Sequence, residues 1–225
     1  MTFTDVEALL EANKNERGMQ VWEKVGNPAF RSYGLGLTQI KKLAKGATKS
    51  QPLADELWRS DLWDAKQLAC LVGEPKTISS EALDTMAAET KNWMLGHVFL
   101  QNVMAKSPLL QQKFEDWKDH KDDGIRSLGW GCLGYLAKSK KMDDAYFPAH
   151  VAHISAHLQG EANFVRDSMN NALFAISQRS KSLYADGLAA AKSIGPVEVD
   201  YGENSCQALD VVKHLTSPRI AGKFA

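Results

Sequence analysis

The chain has 225 residues, of which 44% are hydrophobic, and its 27 basic and 27 acidic side chains leave a formal net charge of zero. This composition excludes an intrinsically disordered chain and suffices for one sizeable core. No run approaches the ~18 consecutive apolar residues of a membrane span, and the N-terminal segment is acidic and amphipathic, unlike a signal peptide, so we expect a cytoplasmic protein that does not enter the membrane. Three widely spaced cysteines, Cys70, Cys132 and Cys206, favour neither a disulfide framework nor a cysteine metal site.

Apolar residues recur at helical spacing along the chain, with helix breakers roughly every 12–20 residues. Capping residues mark some of the helix starts, such as Ser79 and, before Pro108, Ser107. The segment 196–204 departs from this pattern and is predicted to lean towards β structure. In chain order, the pattern predicts helices over residues 3–13, 18–25, 38–48, 51–59, 61–72, 79–92, 95–106, 108–118, 123–138, 143–158, 161–178, 180–193 and 205–215.

Helices of this length, joined by short turns, cannot each bury an apolar face alone. They are expected to pair as antiparallel hairpins and to stack into a curved α-solenoid. The chain has no strict sequence period, which favours divergent repeats over a consensus array. On periodicity alone, a compact orthogonal bundle is the alternative. No linker is long or polar enough to separate two domains. We therefore expect a single domain over residues 1–225 and, as is usual for a solenoid, a monomer.

Three stretches carry a family resemblance. The first is Tyr33-Gly34-Leu35-Gly36-Leu37, the second is Leu53-Ala54-Asp55-Glu56-Leu57-Trp58, and the third is the segment 161–215, where two helical runs precede the insert and a last helix. On these residues the chain resembles, over roughly positions 30–215, the DNA alkylation repair family, whose best-known members are HEAT-like N-glycosylases. The resemblance implies an all-α fold, an α-α superhelix of HEAT/ARM-like repeats that holds duplex DNA in its concave face. It also implies metal-free, cofactor-free hydrolysis of the N-glycosidic bond of N3- or N7-alkylated purines.

The resemblance places a candidate catalytic pair at Trp93 and His97. The family has a Trp at the first position and an Asp four residues later, where the carboxylate would stabilise the oxocarbenium-like charge that develops as the base leaves. A neutral His could orient water there but cannot supply negative charge. Trp93 could contact the lesion nucleotide or simply fill the core, and His97 could have no catalytic part.

Two further positions follow from the resemblance, and the first, Arg126, completes the candidate catalytic site with Trp93 and His97. Arg126 falls where the family places an Arg at the start of a helix that lines the concave surface, and its planar guanidinium suits bidentate phosphate contact, although a plain salt bridge is the alternative. Asn171 falls where active glycosylases have a second Trp, so one aromatic wall is missing. The altered residues at positions 97 and 171 favour either a changed substrate or a scaffold without robust base excision.

Because the net charge is zero, affinity for phosphates has to come from local clusters of basic side chains. One such cluster is a predicted helical stripe of lysines at spacing i, i+4, i+8, a second is a lysine-rich loop, and a third lies along the C-terminal helices. A solvated surface is the alternative reading of each. The predicted DNA-binding residues are Lys41, Lys45, Lys138, Lys140, Arg166, Asn171 and Arg179, with Lys49 completing the stripe.

A row of possible zinc ligands competes with this reading, since His150, His153, His157 and Glu161 share one predicted helical face. A straight helix spreads the four over ~16 Å, so one ion could take only two adjacent members. No HExxH or paired-cysteine motif assists, and we expect no metal. Two functions therefore stay open: a glycosylase-like protein that binds duplex DNA, and a non-catalytic HEAT-like module that binds DNA structures or a protein.

Overall fold

The computed structural model describes residues 1–24, 30–90, 92–203 and 205–224. Within these residues the chain is helical without a strand, and one isolated bridge joins Arg31 to Leu62. Three short 3₁₀-helices cover Met104–Lys106, Asp144–Tyr146 and Leu158–Gly160. The fourteen α-helices of this part are α1 (Phe3–Ala12), α2 (Glu16–Lys24), α3 (Leu37–Gly46), α4 (Gln51–Arg59), α5 (Trp63–Val72), α6 (Ser80–Glu89), α7 (Trp93–Asn102), α8 (Leu110–Trp117), α9 (Asp123–Leu136), α10 (Pro148–His157), α11 (Asn163–Ile176), α12 (Lys181–Ile194), α13 (Val211–Leu215) and α14 (Pro218–Ala221).

The predicted boundaries of α4 agree with the structure, and those of α12 differ from it by one residue at each end. The predicted boundaries are wrong where a local cap intervenes. The helix expected over 143–158 is split, because Pro148 begins α10 and leaves a separate 3₁₀ turn before it. The helix expected over 205–215 starts only at Val211, because the Asp210 side chain accepts the backbone N–H of Lys213 at 2.8 Å. The predicted segments 18–25, 79–92 and 196–204 each include a residue outside the described ones, namely 25, 91 and 204.

The segment that follows α12 leaves the helix as predicted, but it forms no strand in its described part. Two amides from the 158–163 region meet its backbone. Gln159 donates to the carbonyls of Ile194 and Pro196 at 3.0 and 2.9 Å, while Asn163 both donates to and accepts from the backbone of Asp200, at 2.6 and 2.8 Å. Side chains thus supply the hydrogen bonds that a β-ladder would otherwise provide.

The chain divides into two compact units. The first consists of residues 1–108 and 201–205, and the second of residues 109–200 and 206–225. In the first unit, α5 is the central helix, since nine of its ten residues are buried and it packs against α1, α3, α4 and α7. No helix in the described ranges is long and apolar enough to cross a membrane.

A buried carboxylate fixes the glycine-rich motif of the first unit. Asp64 on α5 accepts the Ser32 hydroxyl at 2.9 Å and the backbone N–H groups of Tyr33 and Leu35 at 2.7 and 3.0 Å. Between them, Gly34 has a φ of 77°, and a Cβ on Gly18 of α2 would lie 2.0 Å from the Gly34 carbonyl oxygen. The motif therefore joins α2 closely to the loop before α3.

The second unit is built around two long helices, α9 and α11, which pack along each other. Helix α8 also packs against α9, and α10 packs against α12. The core between them contains Phe114, Trp130 and Phe147, all at most 1% exposed. This unit carries most of the basic positions that the sequence singled out.

Candidate nucleic-acid interface

Trp93 begins α7 in the first unit. Asn92 is the N-cap, and its side-chain oxygen accepts the backbone N–H of Met94 at 2.8 Å. The Trp93 side chain is half-buried, and its ring makes an edge-to-face contact with Tyr201 at 5.2 Å between centroids and an angle of 64°. Trp93 therefore lies at the margin of the core, with part of its side chain exposed to solvent.

His97 lies one helical turn after Trp93, and it is exposed between the buried residues Gly96 and Val98. Helix α7 contains no Asp or Glu at any position. The pair that the sequence predicted is thus on one side of one helix, as the i, i+4 spacing requires. The helix supplies an indole and an imidazole, and it supplies no carboxylate.

Arg126 lies near the start of α9, which Asp122 caps by accepting the backbone N–H of Ile125 at 3.0 Å. Its guanidinium donates from Nε and Nη2 to Glu161 Oε2 at 3.1 Å each, from Nη2 to Asp123 at 2.6 Å and from Nη1 to the His120 carbonyl at 2.7 Å. The side chain is 18% exposed. Burial lowers the pKa of Arg126, but the hydrogen bonds to Glu161 and Asp123 outweigh it, and the pKa lies above its ordinary value.

Arg126 is therefore held in the second unit by an ion pair with two carboxylates. A phosphate at this guanidinium would have to displace Glu161 or share Arg126 with it. Glu161 entered the sequence analysis as a possible metal ligand and is instead the partner of Arg126. Their separation of 35 residues gives no local sequence signal for this pairing.

The positions predicted on α11 have unlike surroundings. Asn171 is exposed, and its amide donates to the backbone carbonyl and the carboxylate of Asp167 at 2.8 and 2.9 Å, so no aromatic side chain stands at that place. Arg166 is half-buried, and its Nε has no hydrogen-bond partner within the described ranges. Asn171 therefore lies at the surface, whereas the Nε of Arg166 is buried.

Arg179 follows α11, and its side chain is turned into the second unit. It donates from Nε to Asp144 at 2.7 Å, from Nη1 to the carbonyls of Ala137 and Ser139 at 2.8 and 2.9 Å, and from Nη2 to the carbonyl of Met142 at 2.6 Å. Its side chain is 11% exposed. Four of its five N–H groups are thus engaged within the protein.

The predicted lysine stripe of the first unit is shorter than expected. Helix α3 ends at Gly46, so Lys41 and Lys45 are exposed on the helix while Lys49 lies beyond it. The Lys49 ammonium donates to the carbonyl of Leu71, and burial lowers its pKa. In the second unit, Lys138 and Lys140 are exposed, and the Lys138 ammonium lies 4.5 Å from the centre of the Tyr135 ring.

The histidines of α10 are tied into aromatic packing. The His153 ring stacks on Trp130 at 5.1 Å between centroids, and the His150 ring contacts Phe114 and Tyr146 at 4.9 Å each. Burial lowers the pKa of both imidazoles. Across the ranges that the structure covers, no three His, Cys, Asp or Glu side chains converge as metal ligands.

Sequence reasoning did not foresee the contact between Tyr201 and Trp93, which are 108 positions apart (201 − 93). The available signal was an aromatic residue in the otherwise polar end of the 196–204 segment. The structure places Trp93, His97, Lys41 and Lys45 in the first unit. It places the remaining predicted residues, Arg126, Lys138, Lys140, Arg166, Asn171 and Arg179, in the second unit.

Comparison with known proteins agrees with the sequence and the fold. The chain is 26% identical to the uncharacterized protein Lin0241 of Listeria innocua and 25% identical to the uncharacterized protein Lmo0209 of Listeria monocytogenes, in each case over 97% of this chain and 98% of the other. It is similar, at 22% identity and a TM-score of 0.86, to a solved protein from a new family related to the HEAT-like repeat DNA glycosylases with affinity for branched DNA structures. That likeness covers 100% of this chain and 96% of the other, and it confirms the predicted all-α fold of HEAT-like repeats.

The resemblance drawn from the sequence is confirmed as well. The profile of a family described as DNA alkylation repair enzyme matches residues 6–195, which is most of the chain. With the helical fold and the placement of Trp93 at the start of α7, this match gives the chain its family. The chain belongs to the DNA alkylation repair enzyme family.

Proposed function

We propose that this protein binds branched DNA as a monomer and does not excise alkylated purines. The observation that carries the proposal is the composition of α7, where exposed His97 occupies the turn after Trp93 and no acidic residue is present. The resembled glycosylases have a carboxylate there. The protein thus has the fold of the DNA alkylation repair enzyme family but lacks, on this turn of α7, the carboxylate that would assist base excision.

The chemistry of excision supports this conclusion. As a glycosidic bond breaks, positive charge develops on the sugar, and a nearby carboxylate lowers the free energy of that state. A neutral imidazole offers no such charge, and a protonated one opposes it. Arg126 would not compensate, since it is cationic and is already paired with Glu161 and Asp123.

The binding part of the proposal is supported by two facts. The solved protein that matches over the whole chain has affinity for branched DNA structures. Lysines at positions 41, 45, 138 and 140 are exposed, and their ammonium groups suit phosphate contacts that fix position without reading bases. Binding of this type distinguishes DNA forms by the spatial arrangement of their phosphates.

A second candidate is metal-free hydrolysis of the N-glycosidic bond of N3- or N7-alkylated purines in duplex DNA. The match to the DNA alkylation repair enzyme family over residues 6–195 favours it. In this reading Trp93 contacts the lesion nucleotide, His97 places the attacking water and Arg126 contacts a phosphate. A cationic base is already a good leaving group, so modest electrostatic assistance would suffice.

The test combines binding and excision on one preparation. Fluorescence anisotropy with a labelled four-way junction and with a linear duplex of the same arm sequences, over a series of salt concentrations, should give tighter binding to the junction and an affinity that falls steeply with salt. Equal affinity for both forms would contradict the proposed preference. Release of 7-methylguanine or 3-methyladenine from methylated duplex, abolished by Trp93→Ala, would establish the second candidate instead.

A further inference from the structure

The segment between α9 and α10 contains the most concentrated positive charge in the chain. Three of the four residues 138–141 are lysines, and Lys138, Lys140 and Lys141 are all exposed. The surrounding positions of this segment, from residue 137 to residue 142, include no acidic side chain. A surface of this kind attracts phosphates, provided that its backbone holds the ammonium groups in a fixed arrangement.

The hydrogen bonds within this segment are few and long. Met142 donates to the Ser139 carbonyl at 3.4 Å, and the Lys141 N–H donates to the Ser139 hydroxyl at 3.3 Å. By contrast, Arg179 reaches the carbonyls of Ala137, Ser139 and Met142 at distances between 2.6 and 2.9 Å. The N–H groups of Ala137 and Ser139 bond back to α9 at 2.9 Å each, and beyond Ser139 the one short contact to this backbone, among the described residues, is that from Arg179 to Met142. A single guanidinium therefore joins both ends of the turn.

Two further contacts fix that guanidinium. The Arg179 Cζ lies 4.5 Å from the centre of the Phe147 ring, which is fully buried, and Nε donates to Asp144. Hydrogen bonds from Ser180 and Arg179 lower the pKa of Asp144, so this carboxylate stays ionised and paired beside the lysines. Arg179 thus pairs with Asp144, one of the two carboxylates that follow the basic segment, while the other, Asp143, accepts the backbone N–H of Ala145 at 2.9 Å.

We propose that Arg179 is a positioning residue that holds the segment 137–144 in the conformation in which Lys138, Lys140 and Lys141 contact DNA phosphates. Arg179 itself does not touch the DNA, because it is 11% exposed and four of its five N–H groups are engaged within the protein. A planar guanidinium can donate hydrogen bonds to three carbonyls and a carboxylate at once, whereas the ammonium group of a lysine, which has a shorter side chain, cannot. The proposal rests on the DNA-binding function proposed above.

The first experiment tests the positioning without DNA. Brief trypsin digestion followed by mass spectrometry measures cleavage after Lys138, Lys140 and Lys141 in the wild type and in Arg179→Lys. The variant keeps the positive charge but lacks the guanidinium that bonds to the segment. Cleavage in this segment should therefore become about tenfold faster, because its backbone is less ordered. Arg219→Lys, at an exposed arginine of α14 in the same unit, is the matched control and should cleave at the wild-type rate. Equal rates for the wild type and Arg179→Lys would overturn the proposal.

The second experiment is a double-mutant cycle on binding to the four-way junction. Replacing the three lysines by alanine should weaken binding and reduce the slope of log affinity against log salt by up to about 2–3, because each phosphate contact contributes about 0.9. Arg179→Lys should weaken binding about five- to tenfold in the wild-type background and less than twofold in the background without the lysines. Equal losses in both backgrounds would mean that Arg179 acts on DNA directly, which overturns the proposal.

Two outcomes separate this proposal from the proposed function. If the wild type binds the junction while the triple lysine variant binds equally well, DNA binding stands and the positioning proposal fails. If the wild type binds no DNA, the proposed function fails, and with it the DNA-contacting role of the lysines. Should Arg179→Lys not fold, Asp144→Ala removes the acceptor of the Nε hydrogen bond and leaves the three carbonyl partners of Arg179 in place, and it is expected to shift cleavage and binding in the same direction by a smaller factor.

Discussion

Gly129 lies in the middle of α9, where that helix passes the end of α8. A Cβ at this position would lie 2.7 Å from the backbone nitrogen of Lys118 and 2.8 Å from the carbonyl carbon of Trp117. Real Cβ atoms essentially never come closer than 3.0 Å, and ordinary contact begins at 3.4 Å. Both obstructing atoms belong to backbone, so Gly129→Ala requires the two helices to separate by about 0.7 Å (3.4 − 2.7).

The magnitude follows from the opposing effects. Forcing a close-packed helix pair apart costs about 3 kcal/mol at the upper end of the overpacking range, while replacing a mid-helix glycine by alanine favours the helix by about 1 kcal/mol. The net expectation for Gly129→Ala is a loss of about 2 kcal/mol in the free energy of unfolding. For a chain of this size that is a fall of about 4–8 °C in the melting temperature.

Helix α9 provides its own control. A Cβ on Gly134 would meet the Ala172 Cα at 3.6 Å and the Ala172 nitrogen at 3.9 Å, both ordinary van der Waals contacts, so Gly134→Ala should be neutral or stabilising by up to about 1 kcal/mol. Urea unfolding of both variants, followed by far-UV circular dichroism, measures the difference. If Gly129→Ala is as stable as Gly134→Ala, the close approach of α8 and α9 is not a constraint on the fold and the reasoning fails.

Three other predictions concern polar groups. Arg126→Ala should lower the free energy of unfolding by about 2 kcal/mol, mostly through Glu161, which is 22% exposed, and an unchanged urea midpoint would contradict it. Burial lowers the pKa of His150 and His153, so the unfolded state takes up protons before the folded state as the pH falls. Their full contribution to the free energy of unfolding is therefore present above about pH 6.5 and is lost as the pH drops below that value. Melting temperatures between about pH 7.5 and 5.5 test this, and His150→Phe should weaken the pH dependence. Asp64→Asn should cost about 1–3 kcal/mol, since the amide cannot accept at both oxygen positions, and thermal unfolding beside wild type measures it.

The sequence was sufficient for features that depend on neighbours along the chain. Helical periodicity predicted α4, α5 and α12, and the segment 161–215, together with the motifs 33–37 and 53–58, indicated the family that the profile match confirms. Errors arose where one side chain decides a boundary. Asp210 caps α13 and so sets its late start, and Pro148 begins α10 after a break. Each boundary depends on a single residue, whereas hydrophobic periodicity is read over a longer window and does not locate it.

Partners that are distant in sequence were beyond prediction. The sequence around an arginine does not show whether its side chain binds a phosphate, a carboxylate or several carbonyls. Arg126 pairs with Glu161 and Arg179 with Asp144, each at a separation of 35 positions in the chain. Trp93 contacts Tyr201 at a separation of 108 positions (201 − 93). These pairings depend on how helices pack, which a single sequence does not encode locally.

The pairing of the two arginines within the protein bears on how a chain of zero net charge would bind DNA under the proposed function. Arg126 and Arg179 satisfy acidic groups and carbonyls of the protein itself, for which the guanidinium fork is suited. The exposed positive charge at the predicted sites is left to lysines, whose ammonium groups are point charges that do not read base edges in pairs. On the proposed function, binding should therefore depend strongly on salt and little on base sequence, and discrimination must come from where phosphates lie in space. A branched substrate presents phosphates from several arms, which the exposed lysines can contact, Lys41 and Lys45 in the first unit and Lys138 and Lys140 in the second.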